Sequence, residues 1–370
     1  MTVPTVEQCN IRSGTNDAFS SSSPSIRVAA FTGGPGVAGA RFRLRQFIGP
    51  LHRLGIEVCE NCPSRTAYPP AAPPSLKRQI ARSLWALSSL SQRVPAILDS
   101  FRCQLTFLQR EFITKHVSLE RFTRSPRIFD VDDAIWDDAG TVAGRLARMC
   151  DLVICGNSFL ADYFSDWNSN VEVLPTAVDV QRFRPRNSVP ERDELIIGWS
   201  GASGSFPHLY AIEPALLAVM KKCPKVRLRV LAEKAPQPSL IPQERVEFVR
   251  WSEDEEVRAL QSMDIGLMPL PDNIHARGKC SYKMLLYMAC GVPVVVSPIG
   301  MNREVLCLGE VGLAPGTLSE WTEALITLAS DIKMAREMGT KGREVVVEHF
   351  STERIAPRLA EFMRRVARVS

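Results

Sequence analysis

No run of this sequence approaches the ~18 apolar residues that a membrane-spanning helix needs, so the chain is not expected to cross a bilayer. Its 10 cysteines follow no regular spacing, which argues against a disulfide framework. Cys59 and Cys62 form a CxxC, and no second pair completes a structural zinc site. Cys155 and Cys290 lie inside apolar runs, where a free thiol packs as a small hydrophobe; the chain therefore reads as reduced and cytoplasmic. Residues 1–24 are polar and Ser-rich with no apolar core, so they are neither signal peptide nor anchor and are expected to form a disordered tail.

What is present is ordinary globular material. The 370 residues, 45% hydrophobic and 23% charged, suit two domains better than one core. The net charge of +5 is uneven: residues 1–130 hold 17 Lys/Arg against 8 Asp/Glu. A basic first domain suits anionic partners such as phosphates or an anionic membrane face, and an Arg-rich solvated surface gives the same count.

Apolar runs alternate with helical patterns twice along the chain. The first series opens with Ile26–Thr32, a buried strand, followed by a loop containing Gly33, Gly34, Gly36 and Gly39 and a helix from Arg41. Gly34, Gly36 and Gly39 formally satisfy the dinucleotide fingerprint, with Glu57 or Glu60 as its acidic partner, which keeps a nicotinamide-dependent oxidoreductase in play. Pro35 inside the motif and the absence of a clean helix start at Gly39 favour a plainer reading. In that reading Gly34 and Gly36 let the backbone approach a ligand, and Arg41 and Arg43 add positive charge.

Residues 63–74 are Pro- and Ala-rich, a surface loop. Leu76–Leu90 is amphipathic, with Leu76, Ile80, Leu84 and Leu87 on one side. Either these face the core with Lys77, Arg78 and Arg82 solvated behind them, or the basic side and an exposed Trp85 edge rest on an anionic membrane. Strand Arg127–Val131 runs into Asp130, Asp132 and Asp133. Acidic groups at a strand's carboxyl end suit a site, a magnesium pair or simple helix caps.

A polar stretch near residues 185–194 divides the chain, giving domains at 25–186 and 187–353. The second series begins with Leu195–Ser200 and the small-residue loop Gly201–Ser205. Its densest stretch is Ala276–Glu304, where Arg277, Lys279 and Lys283 precede an apolar helix, and Gly300, Met301, Asn302 and Glu304 follow the next strand. Both sets sit where parallel α/β sheets bind ligands.

The segments LIIGWSGASGS, VEFVRW, DIGLMPL and YMACGVPVVVSPIGMNREV, preceded by FDVDDAIWD, CDLVICGNSFLADYF and VEVLPTAVDVQRFRP, resemble the retaining GT-B glycosyltransferases of family four over roughly residues 26–350. The resemblance implies two Rossmann-like domains with parallel sheets facing across a cleft, and a C-terminal helix, 354–370, packed back on the first domain. It implies transfer of a sugar from a nucleotide-sugar donor to a sugar, lipid-linked or small-molecule acceptor, in surface polysaccharide or glycolipid assembly. It implies no metal and no cofactor beyond the co-substrate, no nucleic-acid partner, and a cytoplasmic protein that can lie peripherally on the inner face of the membrane. Asp132 and Asp133 are then candidates for orienting acceptor or donor, while Gly201, Arg277, Lys279, Lys283, Gly300, Met301, Asn302 and Glu304 are candidates for the donor.

The family commonly carries Glu-x7-Glu before Met-Ala-Cys-Gly. Gly278 and Leu286 stand at those positions here, and GWSGASGSF lacks the usual cation pair. Arg277, Lys279 and Lys283 are the replacements expected to hold the diphosphate. The missing glutamates also leave a catalytically silent binding protein as an alternative.

Overall fold

The computed structural model describes residues 26–63, 76–113, 116–186 and 193–368. The expected tail at 1–24, nearly all of the loop at 63–74, most of the linker, and the side chains of Leu76, Lys77 and Arg78 lie outside these residues.

Two parallel sheets of six strands each form the framework. The first contains β1 (Ile26–Phe31), β2 (Ile56–Asn61), β3 (Leu105–Gln109), β4 (Arg127–Val131), β5 (Leu152–Cys155) and β6 (Val171–Val173), in the order β2-β1-β3-β4-β5-β6. The second contains β7 (Leu195–Ser200), β8 (Val226–Ala232), β9 (Val246–Arg250), β10 (Ile265–Met268), β11 (Val294–Val296) and β12 (Gly312–Leu313), in the order β12-β11-β10-β7-β8-β9. The order reverses between β1 and β3 in one sheet and between β7 and β10 in the other. Crevices open at such switch points, beyond the carboxyl ends of the strands. The loops after β3 and β7, used below, start there.

The strands are apolar on both faces because helices cover both. Val28, Ala30, Leu105 and Phe107 on one face of the first sheet pack with Phe47 and Leu51 and with Ile355, Leu359 and Met363. The last three belong to helix Thr352–Arg368 at the chain's end. Its apolar residues recur every three or four positions, so one stripe meets the first domain's sheet. Each fully buried Leu, Ile or Met there contributes roughly 1.5–3 kcal/mol, which fastens the chain's end across both domains.

Two local expectations change. The helix after the glycine loop starts at Ala38, not beyond Gly39, and passes through a π-helical turn at Arg41–Arg45 before Gln46–Arg53. In helix Leu76–Ser91 it is Trp85 and Ser89 that turn inward, while Ile80, Leu84 and Leu87 face outward. Neither a core-facing leucine stripe nor an exposed Trp85 edge therefore describes this helix.

Candidate functional site

The two domains meet through the segment 276–283 of the second and the loops after β3, β4 and β5 of the first. Small residues permit the approach. A Cβ on Gly278 would lie 2.6 Å from Ala134 Cβ, and one on Gly156 would collide with Cys280 Sγ. Asn157 then fastens the seam. Its Oδ1 accepts the Leu160 amide at 2.9 Å, capping helix Ser158–Ser165, while Nδ2 donates to the carbonyls of Gly278 at 3.2 Å and Lys279 at 3.1 Å. The Cys280 thiol donates to the Asp132 carbonyl at 3.2 Å, and burial pushes its pKa well up, so it stays a neutral packing group.

Asp132 and Asp133 lie on this seam. Arg110 closes on both, 2.8 Å from Asp132 Oδ1 and 3.4 Å from Asp133 Oδ2. Its backbone has φ of 64°, a left-handed conformation rare for a residue with a Cβ and one that favours functional positions. Burial works against ionisation of Asp132, but Arg110 and Arg43 outweigh it and hold its carboxyl below the ordinary value. Arg43 is itself interior. It pairs with buried Asp130 at 2.6 Å and donates to the Leu174 carbonyl at 2.8 Å. Arg41 pairs with Glu256 of the second domain at 2.7 Å, beside a 3.6 Å ring contact between Phe42 and Tyr282. Arg41 and Arg43 thus brace the seam from the first-domain side. Gly34 takes φ of 135° in the loop above them and Gly36 has open space around it. The acids of the dinucleotide reading are both engaged: Glu57 pairs with Arg27 and Glu60 with Arg45.

On the second domain the cations gather around the loop after β7. Helix Tyr282–Ala289 begins at Tyr282, so Lys279 lies in the segment ahead of it and does not share its face with Lys283. Ser281 has φ of 52° at the helix start, and its hydroxyl donates to Asn302 Oδ1 at 2.7 Å. Asn302 is wholly buried and donates in turn to the Ser297 carbonyl at 3.0 Å, so it sets this turn. The Lys283 amine lies 4.6 Å from the Trp199 ring centroid, over the indole face. A Cβ on Gly201 would collide with that amine and with the Trp199 ring, so a side chain there would displace Lys283 from this position. Among the described residues no carboxylate lies within ion-pair distance of Lys283. Burial, reinforced by Lys279, lowers its pKa to about 7. His208, just past the loop, is lowered by burial and then by Lys283, Lys279 and His275. The Lys279 amine is 3.1 Å from His275 Nε2 and 3.9 Å from Asp133 Oδ1.

The remaining sequence candidates have structural partners. Arg277 pairs with Asp272 at 2.6 Å at the surface. Gly300 has φ of 53°, and a Cβ there would lie 2.6 Å from the Arg277 carbonyl oxygen. Met301 is buried, and Glu304 accepts the Ser158 hydroxyl at 2.7 Å across the seam. Sequence reasoning passed over Arg110, Asn157, His208 and His275. A signal existed for Arg110, at the carboxyl end of β3, and for His208, three residues beyond a glycine-containing loop. For His275 and Asn157 only the docking of the domains brings the side chains to the site. Among the described residues no group of three metal-ligating side chains converges.

The arrangement sets Lys279 and Lys283, with the neutral imidazole of His208 beside them and small residues at Gly201–Ser205, against carboxylates at Asp132 and Asp133. Residues 207–331 match the family described as Glycosyl transferases group 1. An 88-residue stretch is 35% identical to alpha-maltose-1-phosphate synthase of Mycolicibacterium smegmatis, covering 22% of this chain and 23% of that protein. The chain thus spans about a quarter of the length of this curated relative. The fold is similar to sucrose-phosphate synthase from Thermosynechococcus elongatus, with a TM-score of 0.69, 18% identity, and 93% and 100% of the two chains covered. It is also similar to Anabaena HepE in complex with UDP and glucose, with a TM-score of 0.64, 15% identity, and 92% and 100% covered. The chain has the GT-B fold.

Proposed function

We propose that this chain is a retaining glycosyltransferase that takes a sugar from a nucleoside-diphosphate donor seated on its second domain. The observation that carries the reading is Lys283: an amine without a carboxylate partner among the described residues, aimed at the loop after β7 over the face of Trp199. A half-buried amine with no carboxylate beside it among the described residues is costly, and a diphosphate would supply the missing charge. Lys279, His208 and the backbone amides at the start of helix Tyr282–Ala289 add to the same anion site. A UDP-bound relative of this fold makes UDP the first donor base to try.

In this reading the bond between the sugar's anomeric carbon and the diphosphate oxygen breaks, and Lys283 and Lys279 stabilise the departing charge. The acceptor hydroxyl attacks the same face, and its proton passes to the leaving phosphate oxygen. Asp132 and Asp133, clamped by Arg110, orient the sugars from the opposite wall. The acceptor is a sugar, lipid-linked or small molecule, with surface polysaccharide or glycolipid assembly as the setting.

Calorimetric titration with UDP, GDP and ADP, repeated on Lys283→Met, tests the donor assignment. One nucleotide is expected to bind, at least tenfold more weakly to the variant. No affinity for any of the three, or equal affinity in the variant, would overturn it. Product analysis with the matching nucleotide sugars separates a transferase from a silent binding protein.

A further inference from the structure

Gln109 ends β3 at the switch point of the first sheet. It is 1% exposed, and among the described residues it is the one buried side chain whose polar atoms, Nε2 and Oε1, both lack a hydrogen-bond partner. The buried amides of Asn157 and Asn302 each use both ends. An unpaired amide held away from water is costly, so Gln109 calls for a partner from outside the fold. The amide is also aimed. Gly39, in the helix start Ala38–Ala40, lies against it: a Cβ there would be 2.8 Å from Gln109 Nε2 and 3.2 Å from Asp132 Oδ2. Amide and carboxylate thus converge beside the glycine, while Arg110 engages Asp132 through its other oxygen, Oδ1, at 2.8 Å.

The charges around this point decide the kind of partner. Arg43 is engaged with Asp130, and Arg110 with Asp132 and Asp133. A phosphate or carboxylate entering here would meet Asp132, which Arg110 and Arg43 hold ionised. A neutral ring bearing hydroxyls meets complementary groups instead. An ionised carboxylate only accepts, whereas a glutamine amide offers a donor and an acceptor side by side. One hydroxyl can donate to Asp132 and accept from the amide nitrogen, and its neighbour on the ring can donate to the amide oxygen. The Asp132 side chain is 16% exposed, so the cleft already reaches it. The ring reaches Gln109 by displacing the glycine turn ahead of Gly39, where Gly34 takes φ of 135° and a Cβ on Gly36 would meet nothing within 4 Å.

We propose that Gln109 selects the sugar, its amide hydrogen-bonding two neighbouring hydroxyls of a neutral sugar ring, one of which also donates to Asp132. The inference rests on the glycosyl-transfer reading and names the residue that reads the ring. A ring lacking one of these hydroxyls leaves the amide unpaired in the interior and is rejected for that reason. The transferred sugar and the acceptor present the same hydroxyl chemistry, and the experiment separates them.

The test compares the parent with Gln109→Met, close in volume but without either hydrogen-bonding end, and with Gly39→Ala, whose Cβ would push the amide aside. Calorimetry with UDP, GDP and ADP and with their glucose conjugates gives the affinity that the donor sugar adds to the bare nucleotide. Titration with the methyl glycosides of glucose, galactose and mannose, followed by saturation-transfer NMR, gives the affinity for an acceptor ring. Gln109→Met is expected to lower one of these two sugar affinities at least about tenfold and to leave bare-nucleotide affinity unchanged. Its melting temperature should equal or exceed the parent's, because an unpaired buried amide has been removed. Gly39→Ala should lower the same sugar affinity. A loss in the first measurement assigns the ring to the donor, and a loss in the second assigns it to the acceptor. Sugar affinities that survive both variants, or no sugar affinity in the parent, overturn the inference. So does a lower melting temperature of Gln109→Met, which would make the amide a prop of the fold. Absence of affinity for every nucleotide overturns the donor reading alone, and the methyl glycosides then still test Gln109.

Discussion

Lys279 Nζ of the second domain lies 3.9 Å from Asp133 Oδ1 of the first. The pair bridges the cleft where the lysines meet the carboxylates, with Arg110 holding the other oxygen of Asp133. Both side chains are about a quarter exposed, so as a salt bridge the contact contributes little, about 0–1 kcal/mol. Its consequence is positional, because it sets a carboxylate of one domain beside a lysine of the other.

Asp133→Asn is therefore expected to leave folding stability within about 0.5 kcal/mol of the parent and to lower transfer at least tenfold. Nucleotide affinity should change by less than threefold. Denaturant titration, turnover with a nucleotide sugar and calorimetry with UDP measure the three quantities. A large loss of UDP affinity would move Asp133 from the acceptor side to the donor side.

Lys283→Met should separate function from stability. Losing a charge-assisted contact to phosphate is expected to cost about 1.5–3 kcal/mol of nucleotide affinity, roughly tenfold or more. The same change removes an enclosed amine that lacks a carboxylate partner among the described residues, so the melting temperature at pH 6 should rise. A fall in both quantities would mean that the lysine serves the fold.

The depressed pKa of Lys283 also fixes a pH dependence. Its folded value of about 7 lies below the ordinary value of 10.5, so between these the unfolded chain binds more protons. This group's destabilising contribution is fully present below pH 7 and is relieved as pH rises toward 10.5. Ligand binding runs the other way, since a diphosphate prefers the ammonium form. The logarithm of UDP affinity should fall above pH 7 with a slope approaching −1, and Lys283→Met should flatten it. Calorimetry from pH 6 to 9 measures the slope.

Arg43→Met is expected to cost about 3–5 kcal/mol of stability, because it leaves the Asp130 carboxylate uncompensated in the interior. Burial already raises the Asp130 pKa against the pull of Arg43. Adding Asp130→Asn should therefore restore part of the loss in urea denaturation. If Arg43 met substrate rather than bracing the cleft floor, activity would fall with little change in stability.

Much of the fold was legible because its signals are local. Buried strands such as β7 and β10 read as short apolar runs, and the helices between them as amphipathic stretches, so two α/β units followed from pattern alone. Errors arose where a helix end or face depends on a distant partner. The first turn at Ala38–Ala40 is helical despite Gly39, as the π turn behind it brings Arg43 to Asp130 and Arg41 to Glu256. The outward stripe of helix Leu76–Ser91 was misjudged because periodicity shows that a helix has an apolar side without showing where that side points.

The sequence by itself determined which candidates stand at the strand ends and loops: Asp132 and Asp133 at the end of β4, a glycine at 201 after β7, and lysines at 279 and 283. Strand ends and glycine loops are set by nearest neighbours, so their placement needs nothing remote. Only tertiary structure decided which of these side chains meet. The docking of Gly278 on Ala134 and Cys280 against Gly156 puts Lys279 beside Asp133, and the glycine at 201 lets Lys283 pass over Trp199. Arg43 became an interior brace and Arg277 a rim pair for the same reason: a cation settles where its counter-charge lies, and that position is written in the packing of both domains.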